Sequence, residues 1–370
     1  DNIALVTEDL LDKVNLLIVQ EGHQLLDSRR IKQINIKTDS FVVKSNVHYP
    51  TDSSLLFDAM RYLINLIGTL ANKHGISGWR EDKYYIRKIR ALKRKATSIK
   101  HSTSKAEGVI QKRELMITEA YKELISLCQL MLIKLKSTFE QLKQCHYIKE
   151  GQVDLFQEFI GHAYRQIDQI NRRVILKQVI PHSEKVFSLF NPFTEWISKG
   201  KAGVPVELGL RVSISTDQHG FILAHKTMMQ EQDVDVAIAI IKKVKEDFDN
   251  VYSASFDRGY HSPSNQEELS KLVPKVILPK KGKISKSEQD KIRADKEYVI
   301  LRRKHSAVES NINALEHRGL DRCPDRGIDN FRKYVSMSIV AHNIHLIGSL
   351  VQRKLQKQNR YTEANIRLAA

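Results

Sequence analysis

Residues 251–262 read VYSASFDRGYHS and place Asp257 at the end of a segment that is otherwise typical of a buried β-strand. An ionised carboxylate at the tip of a central strand costs several kcal/mol of desolvation, roughly, unless another group compensates it. A hydrogen-bonded turn, an ion-pair partner or a bound metal ion could supply this compensation. The segment therefore predicts a central strand, and the rest of the chain has to distinguish the three explanations for its aspartate.

The charge of the chain limits its possible partners. Its 370 residues include 60 Lys and Arg against 43 Asp and Glu, a formal net charge of +17. This imbalance favours a polyanionic partner, nucleic acid first and an anionic membrane surface second. A solvated basic surface without a partner is the simpler alternative. Apolar residues make up 41% of the chain, enough for a packed core. The sequence contains no run of about 18 apolar residues, so we do not expect a membrane span.

Cysteine usage and the first residues indicate the compartment. Cys128, Cys145 and Cys323 show no C-x-x-C spacing, which argues against a zinc ribbon or a disulfide framework and fits a reducing cytoplasm. The chain starts at Asp1, and its opening segment has neither the basic start nor the apolar core of a signal peptide. We therefore expect a cytoplasmic fragment that lacks an amino-terminal part.

Hydrophobic periodicity predicts an α/β protein with a mixed sheet flanked by helices and a large all-α insertion after the first strand. The predicted segments are a helical amino-terminal remnant (1–33), the first strand (34–51), the helical insertion (52–200), the remainder of the α/β domain (201–356) and a tail (357–370).

Several elements after residue 200 carry clear local signals. Residues 204–229 predict a β-hairpin around DQHG, where Gly220 can adopt a positive φ. An amphipathic helix follows, which Asp233 is predicted to cap; Asp217 in the turn and Asp235 in the first helical turn are interpreted as structural in the same way. The remaining predictions are a charged connection over 281–298, a helix over 305–319 that ends at Gly319, and a last helix over 328–356.

Three carboxylates occupy comparable places: Asp39 on the first strand, Asp257 after a later strand, and Glu309 on the helix after the last predicted strand. Strand ends and a packed helix can converge on one edge of an open sheet. Clustered carboxylates without a Cys or His cage favour hard cations such as Mg²⁺ or Mn²⁺. Taken separately, Asp39 could equally be a turn acid and Glu309 a solvated helix residue.

Residues 83–105 contain no acidic residue and predict a basic helix. Dense positive charge at helical spacing fits contacts to the phosphates of a DNA backbone, and a solvated helix face is the alternative. Trp79, Tyr84 and Tyr85 could stack on exposed bases or belong to the core. The basic residues are Lys83, Arg87, Lys88, Arg90, Arg94 and Lys95.

Four sequence blocks resemble the active-site blocks of bacterial insertion-sequence transposases of the DDE class, in the group outside the main named families. The resemblance runs from residue 34 to 350, and the order and spacing of the blocks make it specific. The blocks are TDSFVVKSNVHYPTDSSLL (38–56), TEWISKGKAGVPVELGLRV (194–212), SFDRGYHSPSN (255–265) and HSAVESNINALEHRGLDRC (305–323).

The resemblance implies a ribonuclease-H-like catalytic domain that binds two Mg²⁺ ions, for which Mn²⁺ can substitute. It implies cleavage at transposon ends, joining of the ends to new double-stranded DNA, and a homodimer in the active complex, located on the bacterial nucleoid. The residues that match the catalytic triad are Asp39, Asp257 and Glu309. The family's separate amino-terminal DNA-binding region is largely missing from this chain.

The chain departs from the related signature at two positions. His305 stands four residues before Glu309, where related families have Arg, and Glu316 stands where they have Lys. His305 and Glu309 are predicted to share one helix face. On that face His305 could contact the scissile phosphate, tune the carboxylate or simply begin the helix.

Other assignments stay open at the level of sequence. Arg258 could bind a DNA phosphate or pair with a carboxylate, and Asp52 is predicted to cap the helix that follows it rather than to act in the site. Two other functions fit the same residues. One is a ribonuclease-H-like nuclease that cleaves without joining strands, and the other is a catalytically inactive DNA-binding derivative.

Overall fold

The computed structural model describes residues 5–26, 32–99, 101, 103–198 and 205–369. The chain divides into two compact units. The α/β unit comprises Asp1–Val47 and Phe193–Ala370, and the helical unit comprises His48–Pro192.

In chain order the helices and strands are α1 (Glu8–Leu25), β1 (Ile34–Ser45), α2 (Asp52–Lys73), α3 (Asp82–Ser98), α4 (Glu107–Gln144), α5 (Glu150–Ile170), β2 (Glu195–Ser198), β3 (Val206–Thr216), β4 (Ile222–Met228), α6 (Asp233–Asp247), β5 (Val251–Phe256), α7 (Pro263–Leu272), β6 (Lys275–Ile277), α8 (Lys286–Ala294), α9 (Lys296–Lys304), α10 (Ala307–Leu315), β7 (Arg322–Cys323) and α11 (Ile328–Ala369).

The α/β unit is built on one mixed sheet with the strand order β2-β3-β1-β5-β6; β4 also pairs with β3, and β7 with β1. β3 runs antiparallel to β1, β2 and β4, whereas β5 and β7 run parallel to β1, and β6 parallel to β5. The predicted mixed sheet flanked by helices is therefore confirmed, with β1 at its centre.

The alternation of side chains along β1 supplies a core to both faces of the sheet. Ile34 and Ile36 belong to a buried cluster with residues of α1 and α6, whereas Phe41 and Val43 belong to a second cluster with residues of α10 and α11. Successive side chains of a strand point to opposite faces. Asp39 therefore shares its face with Phe41 and Val43, on the side of α10.

The helical unit has its own hydrophobic core, formed by α2, α3, α4 and α5. Trp79 is fully buried in it and donates a hydrogen bond from Nε1 to Thr138 Oγ1 at 3.0 Å, so its role is structural. Thr51 is the N-cap of α2 and forms a capping box with Ser54. The prediction that Asp52 caps this helix is therefore wrong; Asp52 lies in the first turn, 2.9 Å from Arg173.

Several local predictions are confirmed. β3 and β4 form the predicted hairpin, in which Gly220 has φ +93°. In its turn, Asp217 Oδ1 accepts hydrogen bonds from the backbone N–H groups of His219 and Phe221, at 2.8 and 2.9 Å. Gly319 has φ +104° beyond α10, as expected for a glycine that ends a helix.

Other boundaries differ from the sequence predictions. The charged segment 281–298 contains α8 and the start of α9, and residues 357–369 of the predicted tail belong to α11. β2 and β7 were not predicted; each is too short to show an alternating pattern. Gln232, not Asp233, is the N-cap of α6, in a capping box with Asp235. Within the predicted helical remnant over 1–33, the helix predicted over residues 3–30 is shorter, Glu8–Leu25; residues 1–4 and 27–31 lie outside the described part of the chain.

By length and composition alone, the helices Asp52–Lys73 and Ile328–Asn359 are apolar enough to cross a membrane, although neither contains an unbroken run of about 18 apolar residues. In Asp52–Lys73, 61% of the apolar window is buried within the protein, against 28% in Ile328–Asn359. The core helices of soluble proteins can be equally long and apolar. Both helices contribute side chains to the hydrophobic clusters of their own units.

Candidate functional site

The pairing of β1 with β5 places two of the predicted carboxylates side by side. Thr38 on β1 is the parallel partner of Phe256, the last residue of β5. Asp39 follows Thr38 on β1, and Asp257 follows Phe256 directly after the end of β5. Because neighbouring strands lie about 4.7–4.9 Å apart, the backbone brings these two aspartates to the same point of the sheet.

Asp39 is the less exposed member of this pair, with a side chain of intermediate exposure. Burial first, and then the negative charges of Asp257, Asp233 and Glu309, raise the pKa of its carboxyl to about 6, against the effect of a hydrogen bond from the Ser40 backbone N–H to Oδ1 at 2.8 Å. Asp39 thus lies within electrostatic reach of three other carboxylates. Such a cluster repels itself and attracts cations.

Asp257 is exposed: 57% of its side chain is accessible to solvent. The prediction that Asp257 bears a desolvation cost is therefore wrong. It is the carboxyl of Asp39 whose pKa is raised by burial. Phe256 is the last buried residue of β5, and Asp257 begins a single 3₁₀ turn, Arg258–Tyr260. The Arg302 guanidinium lies 3.9 Å from Asp257 Oδ1 and donates a hydrogen bond to the Phe256 carbonyl at 3.0 Å.

Glu309 lies in the first turn of α10, exposed to solvent. The neighbouring Val308 is fully buried in the cluster that contains Phe41 and Val43, so α10 packs on the face of β1 that carries Asp39. Within the described residues, no three His, Cys, Asp or Glu side chains are close enough to hold a metal ion together. Asp257 and Glu309 thus act electrostatically on Asp39, and the three carboxylates do not form a closed ligand cage.

His305 does not lie on α10, which begins at Ala307; the prediction that it shares a helix face with Glu309 is wrong at this boundary. It is the C-cap of α9 and is 8% exposed. Its Nδ1 lies 3.0 Å from Ser255 Oγ on β5. Burial first, and then the charges of Arg302 and Lys37, lower the pKa of the imidazole to about 4, against the influence of Asp257. A neutral, inward-facing imidazole is the result.

Asp233 is a carboxylate whose place in the site the sequence reasoning missed. Its Oδ1 accepts a hydrogen bond from Ser40 Oγ at 2.6 Å, and a Cβ atom at Gly259 would lie 2.8 Å from its Oδ2. Asp233 therefore lies between the residue after Asp39 and the turn after Asp257. The doublet Asp233-x-Asp235 at a helix start was the available signal, because only Asp235 was needed for the capping box.

A cavity of about 250 Å³ opens beside Ser40, Asp233 and Gly259. Arg211 and Lys281 also line it, so it combines one carboxylate with two cations. Tyr260, the residue after Gly259, is buried and shares a hydrogen bond of 2.9 Å with Ser213. Burial, followed by the charge of Asp233, raises the pKa of the Tyr260 phenol, so the phenol stays neutral. Arg258, in the same turn, is exposed.

The predicted basic helix is α3, and its six predicted DNA-binding residues are all exposed: Lys83, Arg87, Lys88, Arg90, Arg94 and Lys95. One of them is compensated, since Lys95 forms an ion pair of 2.6 Å with Glu123 on α4. Tyr84 is 45% exposed, and Lys88 lies 6.0 Å from the centre of its ring. The face is therefore accessible to a large anionic partner.

The structure therefore defines an α/β protein with a mixed sheet, in which two aspartates lie on and directly after neighbouring parallel strands. A protein-family model described as a transposase DDE domain matches residues 126–344, more than half of the chain. The chain belongs to this DDE transposase family. The matched residues include Asp257 and Glu309, whereas Asp39 and α3 precede them. No curated protein and no solved structure matches the chain.

Proposed function

We propose that this chain is the catalytic part of a bacterial insertion-sequence transposase that cleaves DNA at transposon ends and transfers the freed 3′-hydroxyl into target DNA. The observation that carries the proposal is the register of β1 and β5, which sets Asp39 beside Asp257, with Glu309 close enough to raise the pKa of Asp39. The order β1, hairpin β3–β4, α6, β5, α7, β6 supports a ribonuclease-H-like fold.

The donor set fits hard divalent cations. Asp39, Asp257 and Glu309 supply only carboxylate oxygens, the ligands that Mg²⁺ and Mn²⁺ prefer, and the repulsion among them is relieved by positive charge. These three residues would hold the ions, which we propose to be two Mg²⁺. Bound there, such ions activate a water or a 3′-hydroxyl and stabilise the leaving oxygen of a phosphodiester.

The rest of the chain positions this site and the DNA. Ser40 fixes the Asp39 carboxylate through its backbone N–H, and Arg302 binds the Phe256 carbonyl immediately before Asp257. The exposed cations of α3, together with Arg258, are proposed to contact backbone phosphates. We further propose a homodimer in the active complex, since two ends must be paired, acting on the nucleoid in the cytoplasm.

The deciding experiment incubates the protein with a labelled duplex carrying the terminal sequences of its element, a target plasmid and Mg²⁺. Cleaved ends joined to the plasmid support the transposase. Cleavage without joining indicates a ribonuclease-H-like nuclease, and DNA binding without cleavage indicates an inactive derivative. Asp257→Asn is the control, because an exposed side chain can lose its charge without loss of folding.

A further inference from the structure

Three cations converge on one aromatic ring of the helical unit. Phe57 on α2 is 9% exposed. The Arg61 and Arg90 guanidinium carbons lie 6.0 and 5.3 Å from the centre of its ring, and Lys93 Nζ lies 5.4 Å from it. We call Arg61, Arg90 and Lys93 the Phe57 cation cluster. Two of its members come from α3 and one from α2, so tertiary packing gathers them.

This cluster has little internal compensation. Asp58 Oδ1 lies 3.4 Å from Arg61, and its Oδ2 is already bound by His48 Nε2 at 2.6 Å. Among the described residues, no carboxylate forms an ion pair with Arg90 or Lys93, in contrast to Lys95 with Glu123.

The crowding of the cluster is visible at Lys93. Partial burial, followed by the charges of Arg90 and Arg94, lowers the pKa of Lys93, against the effect of Asp58. Cations held this close repel one another, and an anion bound among them would remove that repulsion.

The geometry of the cluster suits a phosphate. Cation–π contacts hold the three groups around one rigid ring, and guanidinium groups bind phosphate oxygens through paired N–H donors. We propose that Arg61, Arg90 and Lys93 form a binding site for one phosphate of the DNA backbone. The proposal rests on the proposed function in that its ligand is DNA, and it adds Arg61 and Lys93 to the row of α3 cations.

DNA fits this surface better than a lipid bilayer does. The Phe57 ring lies nearly buried beneath the cations, so the cluster offers charge but no apolar side chain for insertion between lipids. The exposed Arg87 and Arg94 continue the positive charge along α3. A straight row of cations of this kind can follow several phosphates of one strand.

The test measures binding of the full chain to a fluorescent duplex of arbitrary sequence over a range of salt concentrations, without divalent ions. Arg61→Gln/Arg90→Gln/Lys93→Gln is compared with Lys122→Gln/Lys143→Gln/Arg165→Gln, a matched loss of three exposed charges on α4 and α5. We expect the log–log salt slope of the cluster variant to fall by about 0.9 relative to the matched variant, one phosphate contact.

Further outcomes decide the proposal either way. Equal slopes for the two variants would overturn the cluster site alone, and a wild-type protein that binds no duplex would overturn the proposed DNA partner with it. Tight binding to phosphatidylserine vesicles in place of duplex would also overturn the proposal. Arg61→Lys/Arg90→Lys keeps the charges and should retain the slope with weaker affinity. If the triple variant does not fold, Lys93→Gln alone should still lower the slope relative to Lys122→Gln.

Discussion

Ser40 Oγ donates a hydrogen bond to Asp233 Oδ1 at 2.6 Å, which ties the residue after Asp39 to the first residue of α6. The same carboxylate faces Gly259, two residues after Asp257, where an added Cβ would approach Oδ2 to 2.8 Å. One side chain therefore braces the backbone beside both aspartates of the candidate site.

We expect Gly259→Ala to displace the Asp233 carboxylate and to weaken its bond with Ser40. The free energy of unfolding should fall by about 1.5–3 kcal/mol, the range for hydrogen bonds to charged groups. In an Asp233→Ala background the obstructing atom is gone, so the same change should be nearly neutral. Chemical denaturation of the four proteins of this double-mutant cycle measures the coupling; additive effects would contradict a contact between the two residues.

Asp39→Asn should stabilise the protein in the absence of metal. The pKa of Asp39 rises from 3.8 to about 6 on folding, so its ionised form costs roughly 1–3 kcal/mol of stability above pH 6. As the pH falls from 6 through 3.8, the folded state takes up its proton first and the cost disappears. The melting temperature of the mutant should therefore exceed that of the wild type at neutral pH and equal it at pH 4.

Millimolar Mn²⁺ should reverse that order at neutral pH, because it stabilises the wild type through ligands that Asp39→Asn lacks. Asp39→Asn less stable than wild type at neutral pH without metal would show that the carboxylate has a structural partner there.

Asp257→Asn should behave differently because the side chain is 57% exposed. Its effect on the free energy of unfolding should stay within about 0.5 kcal/mol, as for most surface changes. Metal-dependent cleavage and joining should fall by roughly a hundredfold or more, since Lewis-acid stabilisation is worth several kcal/mol. Duplex affinity without metal provides the control and should change little. A fully active mutant would remove Asp257 from the site.

The pair of His48 and Asp58 predicts a pH dependence in the helical unit. The hydrogen bond to Asp58, opposed by burial, raises the pKa of His48 above 6.5. The stabilisation is therefore complete below pH 6.5 and is lost as the pH rises through the folded-state pKa. Wild type should exceed His48→Gln by less than about 1 kcal/mol in acid, because the histidine is half exposed. The difference should vanish at alkaline pH in melting curves, and a constant difference would show that charge is not involved.

Gly209 and Gly161 differ in the space that a Cβ atom would have, so the same change to alanine should have opposite effects on stability. A Cβ at Gly209 on β3 would lie 2.0 Å from the Val43 carbonyl oxygen on β1, whereas nothing lies within 4 Å of a Cβ at Gly161 in α5. Gly209→Ala should destabilise the protein by more than about 2 kcal/mol, since strand backbones cannot move apart cheaply. Gly161→Ala should stabilise it by about 0.5–1 kcal/mol. Denaturant unfolding measures both; a neutral Gly209→Ala would contradict the β1–β3 pairing.

The sequence by itself determined the features that depend on near neighbours. The hairpin turn at Asp217 and Gly220, the amphipathic pattern of α6 and the exposed cations of α3 follow from turn chemistry and from the periods of strand and helix, which act over a few residues. The order of the three carboxylates along the chain is also a property of the sequence. Their assignment as the catalytic set remains a prediction.

Only the tertiary structure decided which of the two aspartates is the less exposed and has the raised pKa. Asp39 and Asp257 are more than two hundred residues apart, and their environments depend on where β5 ends and on how α6 and α10 pack against β1. The same holds for Asp233 with Ser40, for His305 with Ser255, and for the cations gathered on Phe57. Burial and electrostatic coupling are set by residues brought together from distant segments, and no local pattern records those neighbours.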